Sequence, residues 1–299
     1  MSGRPDYRAH EVLVAPARAY DQLWRLLVGV FVAGIVYVTL NQVFFASVYT
    51  LFGARSEILH QQMVAGSTPL AVIVFLISFG MIIPATGLAA RVMHQRPLRS
   101  VLGPWPVLVA QFVRVCALLI LLNVVLAILP PWGMGEGLTA NLSFGPWLAI
   151  LPFSILALLI QVGAEEVFFR GYVQQQLAAR FQSPLIWMIV PSGLFGLLHY
   201  QPDMLGDNAM MVAVWATVFG VLMADLTARA GTLGPAIAVH LVNNVLALVF
   251  VAVPDQMSGL ALYLTPFGFS DADAVRDWLL VDFAAMFVAW LAARLAIRR

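Results

Sequence analysis

Six polar or charged residues that could carry out acid–base chemistry interrupt otherwise apolar stretches of the sequence. They are Glu165, Glu166, Arg170, His199, His240 and Asn244. Ionisable groups at membrane depth are costly unless they pair with one another or line a hydrated cavity. Their presence in apolar segments therefore predicts a functional site.

The spacing of these residues places the members of each group on one face of a helix. Glu166 and Arg170 are four positions apart with the acid first, which is the favourable order for an ion pair on a helix. Phe195 and His199 are also four positions apart, and so are His240 and Asn244. Each pair can therefore point in one direction.

A predicted helical hairpin brings the first two groups to the same level. The segment Gln182-Ser183-Pro184 is typical of a turn between helices. Glu165 lies 18 positions before Ser183, and His199 lies 16 positions after it. At about 1.5 Å per residue, the two side chains reach similar heights on antiparallel helices, so we expect them to face each other.

Such a cluster could hydrolyse an acyl bond. A carboxylate can activate water, and imidazole or amide donors can stabilise an oxyanion. Each group alone is equally compatible with a structural role: an ion pair for Glu166 and Arg170, a helix cap for His199, and interhelical hydrogen bonds for His240 and Asn244. Their joint occurrence favours catalysis.

Composition predicts the scaffold that must position these residues. Of 299 residues, 62% are apolar and only 10% are charged, whereas a soluble domain carries about a quarter charged residues. Stretches of about 20 apolar residues are long enough to cross a bilayer. We predict an all-α, polytopic membrane bundle of about eight helices, forming a single domain over residues 1–299. The predicted spans are Trp24–Phe52, Pro69–Val92, Pro106–Leu129, Pro146–Phe169, Leu185–His199, Ala209–Thr227, Leu233–Val253 and Trp278–Ile297.

Arginine placement predicts the orientation. Basic residues concentrate before the first span, after the second, fourth and sixth, and at the chain end. By the positive-inside rule both termini are cytoplasmic, with residues 1–23 as a cytoplasmic segment. The polar stretch Ser258–Asp277 is predicted to be an exposed loop on the outer side. The net charge of +1 gives no indication of nucleic-acid binding. The absence of lysine favours a bacterial source and hence an inner membrane.

The three motifs together resemble those of a known peptidase family. Glu-Glu-x-x-Phe-Arg (165–170), Phe-x-x-x-His (195–199) and His-x-x-x-Asn (240–244) look like the motifs of the CAAX protease and bacteriocin-processing family. That family includes the eukaryotic CAAX-prenyl endopeptidase. The motif region, residues 165–244, covers about 80 residues. The resemblance implies an eight-helix intramembrane glutamic endopeptidase.

The resemblance also implies roles for individual residues. It implies catalytic roles for Glu165, His199, His240 and Asn244, and supporting roles for Glu166, Arg170 and Phe195. Glu165 would be the general base for the attacking water, oriented with His199. His240 and Asn244 would form the oxyanion hole.

The resemblance favours a metal-independent mechanism without a cofactor. A zinc site formed by Glu165, His199 and His240, with water as the fourth ligand, is the alternative. The sequence contains no His-Glu-x-x-His motif. The expected partners are the lipid bilayer and a membrane-associated peptide or protein substrate, whose identity is left open together with the oligomeric state. A membrane scaffold or immunity-type protein, and a proton-coupled transporter, are the other functions compatible with these residues.

Overall fold

The structure is a bundle of α-helices. It is a computed structural model that describes residues 7–129, 137–269 and 271–298. The predicted all-α fold is confirmed. The α-helices are, in chain order, α1 (Glu11–Val14), α2 (Leu23–Phe52), α3 (Ser56–Ala65), α4 (Pro69–Ser78), α5 (Ile82–His94), α6 (Arg99–Leu102), α7 (Trp105–Ile128), α8 (Phe144–Glu166), α9 (Gln174–Arg180), α10 (Pro184–Leu198), α11 (Pro202–Leu205), α12 (Ala209–Ala230), α13 (Gly234–Val245) and α14 (Ala272–Ile297).

In the part of the chain that the structure describes, eight apolar helical segments account for the predicted membrane spans. Two of them, Pro184–Leu198 and Gly234–Phe250, are shorter than the rest. The six that are long and apolar enough to cross a bilayer are Leu23–Ala65, Pro69–His94, Trp105–Ile128, Phe144–Arg180, Pro202–Ala230 and Ala272–Ile297. The protein is therefore a multi-pass membrane protein.

Proline and glycine set several helix boundaries. Pro69 and Pro184 begin α4 and α10, where the fixed φ of proline suits the first helical position and its missing N–H leaves no bond unmade. Gly231 ends α12 in the left-handed region, at φ +70°, which a residue with a Cβ adopts only with strain. The short loop after Gly231 then leads directly into α13.

A glycine within the second motif allows two helices to approach closely. A Cβ on Gly196 would overlap the carbonyl oxygen of Ala213 and the side chain of Thr217 on α12. Without it, α10 packs directly against α12. This contact fixes the position of α10, and hence of His199 at its end.

The segment Ser258–Asp277 is not the exposed loop that its polarity predicted. Leu260 within it is completely buried. Part of the segment forms a small sheet, in which β3 (Tyr263–Leu264) pairs antiparallel with β1 (Thr139–Ala140) and parallel with β2 (Val251–Ala252). Backbone pairing with distant residues holds this stretch against the bundle, and strands of two residues leave no periodic signal in the sequence.

The N-terminal segment packs over the ends of several helices. The Tyr7 hydroxyl donates to Asp225 Oδ1 on α12 at 2.8 Å. Arg96, which follows α5, donates through Nη2 to the carbonyl oxygen of Leu13 at 3.2 Å. Residues 7–20 are therefore part of the folded structure, whereas the sequence predicted only that they lie on the cytoplasmic side of the membrane.

His10 makes the packing of this segment sensitive to acid. Its imidazole is 4% exposed and lies 4.8 Å from the Trp187 ring, beside the Gln174 amide. Burial lowers the pKa of His10 from 6.5 to about 4. Because the unfolded segment binds a proton more readily, its docking is fully stable above about pH 6.5 and weakens as the pH falls toward 4.

We therefore expect residues 7–20 to undock on acidification. Hydrogen–deuterium exchange of this segment, corrected for the intrinsic pH dependence of exchange, should rise between pH 6.5 and 4. His10→Phe retains an aromatic ring without a titratable group, so its exchange should change much less over the same range. Equal acid sensitivity in the two proteins would show that another group is responsible.

Candidate active site

Glu165 and Glu166 lie at the end of α8, where the helix changes its winding. The helix continues through a seven-residue π-helix, Val167–Val173, into α9. Wider turns of this kind are frequent at functional sites. Arg170 lies within the π-helix, and its Nη1 is 3.2 Å from Glu166 Oε1. The ion pair predicted from their spacing is therefore present.

His240, on α13, lies between the two carboxylates of α8. Its Nδ1 is 2.9 Å from Glu166 Oε1, and its Nε2 is 3.6 Å from Glu165 Oε2. Since a carboxylate can only accept, Nδ1–H donates to Glu166. This bond fixes the ring and leaves Nε2 directed toward Glu165.

The two glutamates differ in their access to the cavity described below. The side chain of Glu165 is 12% exposed, whereas that of Glu166 is completely buried. Glu165 can therefore meet water or substrate. Glu166 instead contacts His240 and Arg170, and the supporting role that the family resemblance implies for it stays a prediction.

His199 follows α10 and reaches the same cavity as Glu165. Its Nδ1 is 2.8 Å from the Phe195 carbonyl oxygen, which can only accept, so Nδ1 carries a proton. In the neutral ring, Nε2 is then an acceptor. Glu165 and His199 face one cavity, as the hairpin spacing predicted.

Asn244 is held by two amide side chains. Its Nδ2 donates to Gln161 Oε1 at 3.1 Å, and its Oδ1 accepts from Asn243 Nδ2 at 3.2 Å. An amide nitrogen carries two hydrogens. The second N–H of Asn244 therefore remains available to a ligand, in an orientation that its neighbours fix.

Phe195 packs the centre of the site. Its ring is 2% exposed and lies 4.5 Å from the His199 ring and 6.1 Å from that of His240. The Arg170 guanidinium lies 4.9 Å from the centroid of the Phe195 ring. Such a contact stabilises a cation that has been removed from water, and Phe195 thus contacts both histidines and the buried arginine.

The cavity has a volume of about 270 Å³ and combines polar and apolar walls. Its size is close to the lower end of the range for small-ligand pockets. The residues that line it are Tyr37, Phe79, Ile82, Glu165, Phe169, Phe195, Leu198, His199 and Gln201. His240 and Asn244 are not among these residues; His240 lies next to Glu165, and Asn244 lies next to Gln161.

Six of the lining residues were not identified from the sequence. They are Tyr37, Phe79, Ile82, Phe169, Leu198 and Gln201. All but Tyr37 belong to apolar helical segments or follow one, where the sequence does not distinguish a cavity wall from ordinary packing. Tyr37 was identifiable from the sequence, because it is a polar group near the middle of a predicted span.

The candidate zinc ligands do not form a metal-binding group. Over residues 7–129, 137–269 and 271–298, no three His, Cys, Asp or Glu side chains are arranged to hold a metal ion. We therefore derive no catalytic step through a metal.

Comparison with known families supports the predicted resemblance. Residues 146–246 match the family model described as type II CAAX prenyl endopeptidase Rce1-like. All seven candidate residues lie within this match. The family resemblance predicted from the three motifs is confirmed for this third of the chain.

A curated relative matches a longer part of the chain, but its name states no function. The chain is 27% identical over 184 residues to the uncharacterized protein YyaK of Bacillus subtilis, which covers 59% of this chain and 60% of that protein. The match therefore spans less than two thirds of the relative's length. No solved structure matches the chain significantly.

Proposed function

We propose, from the premise that residues 146–246 are related to CAAX-type endopeptidases, that the protein is an intramembrane endopeptidase. It would hydrolyse a peptide bond of a membrane-associated peptide or protein. The observation that carries the proposal is that Glu165 and His199 line one cavity, with His240 between Glu165 and Glu166. These residues supply a base and hydrogen-bond donors around a space that can hold a peptide unit.

In the first step, the Glu165 carboxylate takes a proton from a water molecule in the cavity. His199 Nε2 is available to accept the water's second hydrogen in a hydrogen bond, which orients the water. The water oxygen then attacks the carbonyl carbon of the scissile peptide bond. This produces a tetrahedral intermediate with a negatively charged oxygen.

The intermediate is stabilised by His240 and Asn244. The free N–H of Asn244 can donate to the oxyanion, and so can His240 Nε2 when the ring carries both protons. Glu166 accepts the hydrogen bond from Nδ1 of His240 and holds the ring in this orientation. Collapse of the intermediate transfers the proton from Glu165 to the leaving nitrogen and breaks the C–N bond.

The proposal is tested by comparing cleavage products in native membranes. Protein N-termini would be identified by mass spectrometry in membranes that contain the wild-type protein or Glu165→Ala at equal abundance. We expect a set of new N-termini, in or next to membrane segments, only with the wild-type protein. Identical N-terminal profiles would argue for a scaffold.

The proposed location is a bacterial inner membrane. The exclusive use of arginine as the basic residue and the Bacillus subtilis relative support a bacterial source. The arginine distribution supports cytoplasmic termini. The partners are then the lipid bilayer and its resident or attached polypeptides.

Metal independence has its own test. We expect the purified protein to retain full peptidase activity after exhaustive treatment with a zinc chelator, because the mechanism uses only side chains and water. Residual zinc would be measured on the same sample by elemental analysis. Activity that disappears with the metal and returns on addition of Zn²⁺ would overturn this part of the proposal.

A further inference from the structure

One wall of the cavity comes from a part of the chain that the family match does not include. Tyr37 lies on α2, Phe79 lies in the turn between α4 and α5, and Ile82 begins α5. All three precede residue 146, where the match begins. The matched segment thus provides the proposed catalytic groups, and the earlier helices provide part of the cavity wall.

Tyr37 is the polar group of this wall. Its side chain is half-buried and close enough to Glu165 for the two groups to interact electrostatically. Asn41 lies beside it, one turn further along α2. The Asn41 side chain is a hydrogen-bond partner of the Tyr37 hydroxyl, and an amide N–H that donates to the phenol oxygen leaves the O–H free to donate.

The O–H of Tyr37 differs from those of two other tyrosines of the bundle. The Tyr172 hydroxyl bonds to His94 Nε2 at 2.9 Å, and the Tyr7 hydroxyl donates to Asp225. A tyrosine hydroxyl removed from water usually finds a partner. The Tyr37 O–H borders the cavity and is suited to donate to an acceptor on a ligand.

Two other polar groups of the cavity, Glu165 and His199, do not meet the same need. Glu165 accepts hydrogen bonds when ionised, and Nδ1–H of His199 is already bonded to a carbonyl oxygen. An extended peptide, however, presents carbonyl oxygens that need donors when they leave water. Tyr37 can provide such a donor, as can the amide of Gln201.

We propose that Tyr37 binds the substrate by donating a hydrogen bond to a backbone carbonyl oxygen next to the scissile bond. Phe79 and Ile82, on the same wall, would contact an uncharged apolar side chain of the substrate. This inference rests on the proposed peptidase function. It assigns Tyr37 to substrate binding, whereas the chemical step belongs to Glu165 and its neighbours.

The test is the substitution Tyr37→Phe, which removes the hydroxyl and keeps the ring. The probes are quenched fluorescent peptides that have apolar residues around the cleaved bond and an acyl chain as membrane anchor. The peptide that the wild-type protein cleaves best is used. We expect KM to rise about 2- to 12-fold, with kcat changed less than about twofold. This is the effect of losing one ordinary hydrogen bond that the substrate makes equally in the ground state and in the transition state.

Tyr49→Phe is the matched control. Tyr49 lies on the same helix, and its hydroxyl bonds to His60, outside the cavity. This variant should keep the wild-type KM, and thermal unfolding should show that both variants remain folded.

Two results would overturn the assignment of Tyr37. An unchanged KM in Tyr37→Phe would show that the hydroxyl does not bind substrate. A fall in kcat without a change in KM would place it in the transition state instead. Glu165→Gln is measured in parallel, and cleavage that does not depend on Glu165 would reject both the peptidase function and this inference.

Discussion

Glu165→Gln should reduce peptidase activity by at least about 10²- to 10⁴-fold, the range typical of loss of a general base. A carboxamide has nearly the same shape as the carboxylate and cannot take a proton from water. The structure indicates that folding should survive the change. Glu165 is the partly exposed member of the pair, and its distance of 3.6 Å from His240 Nε2 is too long for a hydrogen bond.

The control for this prediction is Glu57→Gln. Glu57 is an exposed glutamate on α3, outside the cavity, and accepts a hydrogen bond from Gln61. Both variants would be assayed with the same fluorescent peptide at equal protein concentration. Retention of more than about a tenth of wild-type activity by Glu165→Gln would contradict its role as the base.

Comparison with Asn244→Ala separates the remaining functions. A peptidase should lose activity in both variants, since removal of one oxyanion donor typically lowers the rate by about 10²- to 10³-fold. A proton-coupled transporter would depend on Glu165 and tolerate the loss of Asn244. A scaffold would tolerate both substitutions.

Arg170→Met should destabilise the protein by about 3–5 kcal/mol, the usual consequence of removing one partner from a buried ion pair. Arg170 is 1% exposed and Glu166 is completely buried, so the carboxylate would lose its cationic partner with no water to replace it. Methionine fills most of the same volume, which limits the loss of packing. Unfolding would be followed in detergent micelles by circular dichroism.

Two further variants distinguish loss of the ion pair from loss of an arginine side chain. Arg180→Met removes an exposed arginine that lies 3.9 Å from Asp21, where we expect a change below about 1 kcal/mol. The double variant Glu166→Gln/Arg170→Met removes both charges and should be more stable than Arg170→Met alone. Equal stability of the single and double variants would show that the unpaired carboxylate is not the cause.

The sequence was sufficient to predict the helices and the approximate height of the polar residues along them. Apolar length identified the eight segments, and counting residues from the turn at Ser183 placed Glu165 and His199 at one cavity. Helical spacing also predicted the ion pair between Glu166 and Arg170. These features depend on local geometry, which a linear pattern records.

The sequence did not predict features that depend on which helices are neighbours. Tyr37 and Ile82 line the cavity with Glu165 because α2 packs against α5 and α5 contacts α8, and an apolar helix does not reveal its partners. Only the structure shows which ring nitrogen of His240 contacts Glu165 and which contacts Glu166. The π-helix at Val167–Val173 decides which way Arg170 points, and its winding has no simple sequence pattern.

The packing of residues 7–20 has a consequence for how the protein is made. Tyr7 and its partner Asp225 are separated by 218 positions. At about 5–20 residues per second, the ribosome adds the second roughly 10–45 s after the first. The earliest-made segment therefore has to wait for α12 before it can dock. A chain truncated before α12 would leave residues 7–20 without this anchor, available to the proteases that remove incomplete products.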